Sequence, residues 1–188
     1  MTIHEQISQS HLAKLTVKDF LTLAEAGSFD RYARSELIEG EIWVVNSIHR
    51  THARVQAEMT TEISNALRTA GLGLIVYANP STELADDSLP EPDIVVGVPA
   101  DGKWVAGTEV VLAVEISVST LKMDLGRKLR LYARHGIPEY WVVDPDARLL
   151  HQFWGRTDDG YREQRDIALG APIIAATIER LSVKTTRL

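Results

Sequence analysis

Apolar residues follow a helical period in two parts of the chain. Residues 16–26 place apolar side chains three and four positions apart, with Thr16 as the N-cap residue and Gly27 after the last turn. The same spacing runs from residue 47 or 48 to residue 70 and stops at Gly71. These two segments predict amphipathic helices that each bury one face.

Shorter apolar segments predict strands. The segment SELIEGEIWVVN (35–46) predicts a hairpin that turns at Glu39 and Gly40, because glycine accepts the positive φ of a tight turn. The other predicted strands are LGLIVYA (72–78), PDIVVG (92–97), VVLAVEIS (110–117), EYWVV (139–143) and RLLHQFW (148–154), with one or two more after residue 159. The strand at 110–117 is too apolar for a sheet edge, so we expect it in the middle of the sheet.

A third helix, rich in basic residues, is predicted to follow this central strand. Leu121, Leu125 and Leu129 fall on its inward face. Asp124 and Lys128 lie four positions apart on another face, where side chains at this spacing meet. One interpretation of that second face is a solvated ion pair worth only ~0.3–0.5 kcal/mol.

Two carboxylates interrupt the apolar strands. Asp93 follows Pro92 at the start of one strand, and Glu115 lies inside the central strand. Burying a carboxylate is costly unless a partner compensates its charge. Two of them on neighbouring strands suggest a divalent cation held by oxygen ligands, with Lys128 stabilising developing negative charge. The alternatives are that Asp93 serves only a turn, and that the strand ends at Glu115, which then meets water.

Two further features have both a structural and a functional interpretation. His52 lies on the inward stripe of the second helix, near its N-terminal end, and is either a satisfied core or cap residue or part of a phosphate or metal pocket. Lys122, Arg127, Arg130 and Arg134 crowd the basic helix. They form either a solvated helix face or a phosphate-facing surface on an otherwise acidic protein.

Composition narrows the class of protein. The chain has 188 residues, no cysteine and a formal net charge of −6. This length predicts a single domain over residues 15–188, preceded by a flexible polar arm at residues 1–14. We expect a cytoplasmic protein, since there is no disulfide, signal-peptide core or apolar run near the ~20 residues of a membrane span. HExxH, Walker-type and GxSxG motifs are absent, so zinc-protease, P-loop and α/β-hydrolase chemistries lack their signatures.

The motifs in their order are more specific than any one of them. They are ELIEGEIW (36–43), HARV (52–55), PEPDIVVG (90–97), VLAVEISVSTLKMDLGRKLRLYARHGIPEYWVVDP (111–145) and the later GYRE (160–163). This arrangement resembles the PD-(D/E)xK, restriction-endonuclease-like superfamily, and more closely its Uma-two family of endonucleases. The resemblance implies an α/β (α+β) fold: a three-layer core with a central mixed β-sheet flanked by helices.

The resemblance also implies roles for individual residues. Asp93 and Glu115 match the two metal carboxylates, and Lys128 matches a catalytic lysine that the Uma-two family carries on the helix. The wider superfamily would place this lysine at position 117, where this chain has Ser117. Lys122 is nearer in sequence to Glu115, but it does not match the family motif and is the second choice.

The remaining candidate positions surround that centre. Glu36 and His52 match recurring positions of the family and are expected to line the pocket, as are Ser117 and Lys122. A second group, expected to contact neighbouring phosphates, consists of Arg127, Arg130 and Arg134. The implied cofactor is Mg²⁺ or Mn²⁺, which takes oxygen ligands and completes its shell with water.

We therefore expect a metal-dependent endonuclease that hydrolyses phosphodiester bonds of DNA, with Asp93, Glu115 and Lys128 as catalytic residues and no membrane partner. A homodimer is expected, because duplex-cleaving enzymes commonly pair two sites across a two-fold axis. One alternative is a catalytically silent nuclease-fold module that binds nucleic acid or protein, which the net acidity and Ser117 motivate. The other is a small-molecule metallohydrolase that uses the same pocket.

Overall fold

The computed structural model describes residues 12–188, which contain a short 3-10 helix (Gly107–Glu109) and three longer helices. They are α1 (Val17–Glu25), α2 (Arg50–Ala70) and α3, which covers residues 121–134 in three consecutive pieces. The predicted N-cap residue Thr16 at the start of α1 is confirmed, and it forms a capping box in which Thr16 and Asp19 exchange hydrogen bonds. Helix α2 begins two or three residues later than predicted and ends, as predicted, at a left-handed Gly71. Most of the predicted N-terminal arm, residues 1–11, lies outside the described residues.

The predicted strands are confirmed, with shifted ends, and several short ones join them. The strands are β1 (Arg34–Ile38), β2 (Glu41–Val45), β3 (Ile75–Ala78), β4 (Thr82–Glu83), β5 (Ile94–Gly97), β6 (Val105–Ala106), β7 (Val110–Ile116), β8 (Glu139–Asp144), β9 (Leu149–Thr157), β10 (Gly160–Ala168), β11 (Ile173–Ile174) and β12 (Ser182–Val183). Six of them form the central sheet in the order β10-β9-β8-β7-β5-β3. Within this sheet only the β7–β8 pair is parallel, and α3 connects those two strands.

The central sheet has a helix on each face. On one face, α2 buries a stripe against the even-numbered positions of β5 and β7; the stripe consists of Val55, Met59, Ile63 and Leu67. On the other face, Tyr132 of α3 packs with Val95 and Ala113. The predicted three-layer arrangement around a mixed sheet is therefore confirmed. In residues 12–188, no helix has both the length and the apolar character needed to cross a membrane.

The middle of α3 departs from the predicted helix. Asp124–Lys128 form a π-helical turn, which widens the helix locally. Asp124 and Lys128 are 2% and 6% exposed, whereas Leu121, Leu125 and Leu129 are only partly buried. The alternative interpretation of Asp124 and Lys128 as a solvated ion pair is wrong, because both side chains are buried.

The β1–β2 hairpin covers the same side of the sheet as α3. Alternate residues of β1 point in opposite directions. Leu37 packs with Val17 and Phe20 of α1, whereas Arg34 and Glu36 face α3 and the end of β5. The hairpin thus places the guanidinium group of Arg34 and the carboxylate of Glu36 at the ends of the central strands.

A buried carboxylate anchors the C-terminal segment to the sheet. Glu139 of β8 is fully buried and accepts hydrogen bonds from Trp141 Nε1 at 2.6 Å and Gln152 Nε2 at 2.5 Å. It also accepts bonds from the backbone N–H groups of Ala176 and Thr177, at 2.9 and 2.7 Å, and from the Thr177 hydroxyl. One carboxylate therefore satisfies donors that are far apart in sequence.

Replacing this anchor is expected to destabilise the fold. In Glu139→Ala the buried donors lose their acceptor, which costs about 3 kcal/mol or more. For a chain of this size the melting temperature should fall by roughly 6–12 °C, measured by thermal unfolding. Glu163→Ala, on the exposed side of β10, is the matched control and should change stability by less than about 0.5 kcal/mol. Equal melting temperatures for the two variants would contradict the anchoring role.

Candidate active site

A cleft of about 800 Å³ opens between the β1–β2 hairpin, the start of α2, the ends of β5 and β7, and α3. The predicted site residues that line it are Glu36, His52, Asp93, Glu115, Lys122, Arg127, Lys128 and Arg130. Ser117 and Arg134 are not among its lining residues. The cleft brings together residues that are up to 96 positions apart, from 34 to 130.

Asp93 lies immediately before β5 and is held from three directions. In the antiparallel register of β5 and β7, Ile94 pairs with Val114, so Asp93 lies opposite Glu115. Its Oδ1 accepts a bond from Arg34 Nη1 at 2.8 Å. Its Oδ2 is 3.0 Å from His52 Nε2 and accepts the backbone N–H of Ile116 at 2.7 Å. Burial raises the pKa of Asp93, but the bond to His52 and the charge of Arg34 outweigh it, so this pKa lies below its ordinary value.

Glu115 is inside the central strand and almost fully buried. The alternative that the strand ends there and exposes it to water is wrong, since β7 continues to Ile116. Lys128 Nζ and the Tyr132 hydroxyl donate to its Oε1 at 3.0 and 2.7 Å. Its Oε2 accepts no hydrogen bond from residues 12–188. Burial raises the pKa of Glu115 well above its ordinary value despite the nearby charge of Lys128, and the negative charge of Asp93 adds to the shift.

Lys128 joins the sheet to the hairpin. Its Nζ is 3.0 Å from Glu115 Oε1 and 2.9 Å from Glu36 Oε2. The contact with Glu36 Oε2 has the distance of an ion pair but not the angles of a hydrogen bond, and that oxygen has no hydrogen-bond partner among the described residues. Burial lowers the pKa of Lys128, but the two carboxylates outweigh it and raise this pKa above its ordinary value. Lys128 is therefore an ammonium at neutral pH.

Ser117 and Asp124 form a neighbouring polar pair. Asp124 accepts hydrogen bonds from the hydroxyl groups of Ser117 and Thr120 on the same Oδ2. Burial raises the pKa of Asp124, although Lys128 and these hydroxyls oppose the shift. Ser117, which stands where the wider superfamily carries its lysine, thus positions the first residue of the π turn in α3.

The basic residues of α3 separate into two groups. Arg127 donates to Glu39 Oε2 at 2.8 Å and also to Glu41, and Arg134 donates to Glu39 Oε1 at 2.8 Å, so both bind the hairpin. Lys122 and Arg130 line the cleft and form no ion pair with residues 12–188. The roles of all four residues as nucleic-acid or pocket contacts stay predictions. Lys122 and Arg130 are the two whose charges are not paired with a carboxylate of the described residues.

Sequence analysis did not identify two residues of the site. Arg34 binds Asp93, and Tyr132 binds Glu115. Arg34 lies two residues before Glu36 on one strand, so the two share a face. Tyr132 follows Lys128 by four residues on a helix, which also places them side by side. The spacing was available as a signal once Glu36 and Lys128 were assigned to the pocket.

The comparisons with known proteins agree with this architecture. The Uma2 family model, described as "Putative restriction endonuclease", matches residues 17–185. The chain belongs to the Uma2 family. The family description supports a nuclease, and no curated protein matches this Uma2 chain in sequence. A crystal structure described as a putative nuclease belonging to DUF820, from Anabaena variabilis ATCC 29413, is similar to it with a TM-score of 0.63 and 19% identity. That match covers 86% of this chain and 89% of the other, and at this identity it shows the fold alone.

The donor set of the site fits the divalent metal that restriction-endonuclease-like families generally use. Among the described residues of the cleft, three buried carboxylates contact two cationic side chains, Arg34 and Lys128; the carboxylates belong to Glu36, Asp93 and Glu115. Glu115 Oε2 accepts no hydrogen bond from these residues, and a carboxylate oxygen of this kind suits a hard cation. No three or more histidine, aspartate or glutamate side chains of residues 12–188 form a ready metal cluster. The protein would therefore supply two carboxylates, as is usual for Mg²⁺.

Proposed function

We propose that this Uma2 chain is a metal-dependent endonuclease that hydrolyses phosphodiester bonds of DNA, acting in the cytoplasm as one domain over residues 15–188. The observation that supports it most is the position of Asp93 and Glu115, which face one cleft from adjacent strands with Lys128 Nζ 3.0 Å from Glu115. Acidic residues of neighbouring strands with an adjacent cation are what metal-assisted phosphodiester hydrolysis requires.

In this proposal Asp93 and Glu115 hold Mg²⁺ or Mn²⁺. When bound, the metal polarises the phosphate and lowers the pKa of an attacking water. Arg34 and His52 fix the Asp93 carboxylate from two sides, so it is ionised and oriented before a ligand arrives. Tyr132 orients Glu115 by donating a hydrogen bond to Oε1, and Oε2 accepts no hydrogen bond from the described residues.

Lys128 acts by its charge. A side chain whose pKa is raised holds its proton at neutral pH and cannot serve as a general base. Its ammonium lies between Glu36 and Glu115, where it would donate to phosphate oxygens that gain negative charge during the reaction. Glu36 would in turn keep Lys128 in place when Glu115 holds the metal.

Two observations favour the alternatives. The cleft of about 800 Å³ lies within the range of small-ligand sites, which suits a small-molecule metallohydrolase. Both carboxylates that flank Lys128 are already paired with it, which suits a catalytically silent module. The homodimer stays a prediction.

Metal dependence separates these functions. We expect purified protein to cut DNA with Mg²⁺ or Mn²⁺, and to lose that activity completely in EDTA. Gel electrophoresis of plasmid, single-stranded DNA and RNA in parallel would identify the polymer. Metal-stimulated hydrolysis of a small phosphodiester with none of the three polymers cut would favour the small-molecule enzyme. Metal-independent cutting, or no cutting with either metal, would contradict the proposal.

A further inference from the structure

An aromatic side chain stands beside the carboxylate cluster. In the β1–β2 register Trp43 pairs directly with Glu36, so the two side chains lie on the same face of the hairpin. Glu36 contacts Lys128, which contacts Glu115. Trp43 also lines the cleft. A ligand that reaches Glu115 therefore passes close to the indole ring.

The Trp43 ring is held in place but is not covered. The guanidinium carbon of Arg127 lies 5.3 Å from the ring centroid, over one face, and Glu39 and Glu41 compensate its charge. Even so, Trp43 remains 42% exposed, and the cleft residue Ile48 is 48% exposed. Arg127 thus orients the ring, and a large part of its surface stays accessible to a ligand.

The charges around the cleft suit a short stretch of backbone. A protein that grips duplex DNA commonly neutralises about 6–10 phosphates. Lys122 and Arg130 are the cations of the cleft that carry no ion pair to residues 12–188, since Arg127, Arg34 and Lys128 are engaged. Two free cations match the phosphates that flank one or two nucleotides.

The open ring favours an unpaired base. In a duplex the faces of the bases are covered by their neighbours, so an aromatic side chain cannot stack on them without extracting a base. In a single strand each base offers a free face, and stacking on an aromatic ring is tolerant of sequence. A cleft of about 800 Å³ has the volume of a small-ligand site, which suits a nucleotide better than a double helix.

We infer that the substrate of this chain is single-stranded at the cleavage point, and that a base next to the scissile phosphate stacks on Trp43. This inference rests on the proposed nuclease function and specifies its substrate. Trp43 is then a specificity-determining residue, and Lys122 and Arg130 bind the adjoining phosphates. The two-fold symmetry of a duplex, which motivated the predicted homodimer, no longer applies to such a substrate.

The test compares binding of one fluorescein-labelled DNA oligonucleotide, alone and annealed to its complement, by fluorescence anisotropy with Ca²⁺ in place of Mg²⁺. Wild-type protein should bind the single strand more tightly. Trp43→Ala should weaken that binding by roughly 5- to 150-fold, the range for loss of one base–aromatic stack. Trp43→Phe should retain most of it.

The matched control is Trp154→Ala. Trp154 also carries an arginine over its ring, with Arg165 at 5.4 Å, but it lies on β9 outside the cleft, so its loss should leave binding unchanged. Equal binding by wild type and Trp43→Ala, or tighter binding of the duplex, would overturn the inference. If metal-dependent cleavage persists in that case, only the inference falls. If neither cleavage nor binding of either DNA is detected, the proposed function falls with it.

Discussion

Glu115→Gln is expected to lower kcat for DNA cleavage by about 10³-fold or more with Mg²⁺, since a catalytic metal contributes several kcal/mol to the transition state. The amide keeps the shape of the carboxylate, and its carbonyl oxygen can still accept the bonds from Lys128 and Tyr132. The fold should therefore survive while the negative charge at Oε2 is lost. Steady-state kinetics together with thermal unfolding would separate the two effects.

Asp93→Asn should produce a comparable loss of activity. Asp93→Asn should also be less stable than Glu115→Gln. Its amide nitrogen is a donor and would face other donors, either Arg34 or both His52 and the Ile116 N–H. One buried donor left without an acceptor costs about 1–3 kcal/mol. Asp166→Asn is the control, since Asp166 is exposed on β10 with its side chain 61% accessible. Activity above a tenth of wild type in either Glu115→Gln or Asp93→Asn would contradict their assignment as metal ligands.

Lys128→Met is expected to lower kcat by about 10²–10³-fold, the range for removing one preorganised donor from a developing negative charge. Methionine fills a similar volume without the ammonium. Glu36 and Glu115 then lose the cation between them, and we expect one of them to take up a proton. Measurement of kcat and of melting temperature at neutral pH would record both consequences.

The companion variant Lys128→Arg distinguishes charge from base catalysis. The kcat of Lys128→Arg should be at least tenfold higher than that of Lys128→Met, because an arginine restores the positive charge but cannot accept a proton. Lys122→Met should raise KM and leave kcat within about tenfold of wild type, since Lys122 is exposed and contacts neither Glu36 nor Glu115. Equal loss in the Met and Arg variants of Lys128 would contradict the electrostatic role.

Local patterns predicted the elements that hold the site. Period-two and period-3.6 spacing, together with Gly40 and Gly71, located the hairpin and the second helix. The central placement of β7 followed from its unbroken apolar character. Asp93 and Glu115 were expected on neighbouring strands because each interrupts such a segment, and the structure places those strands side by side.

Other parts of the site depend on contacts that no local pattern encodes. The π turn at Asp124–Lys128 leaves the apolar spacing of α3 intact in the sequence, so the inward rotation of Lys128 could not be predicted from it. Arg34 has its partner Asp93 59 positions away. Glu139 binds Ala176, 37 positions away, and a strand carboxylate with that role looks in sequence like any solvated glutamate.

Long-range contacts of this kind also explain why the sequence suggests more arginines free to bind phosphate on the basic helix than the structure contains. Arg127 and Arg134 reach Glu39, 88 and 95 positions earlier in the chain. Two of the three arginines predicted to contact nucleic acid thus also attach α3 to the hairpin. This attachment fixes Arg127 over Trp43 and so connects the fold of the hairpin to the substrate it would accept.

The most direct test of the account is a crystal of the protein soaked with Mn²⁺ and measured at a wavelength where manganese scatters anomalously. We expect an anomalous peak between the carboxylates of Asp93 and Glu115, on the side of Glu115 Oε2, and no such peak at that position in Glu115→Gln. A manganese ion bound elsewhere in an active crystal, or full retention of the peak in the variant, would contradict the claim that these two strands share a catalytic cation.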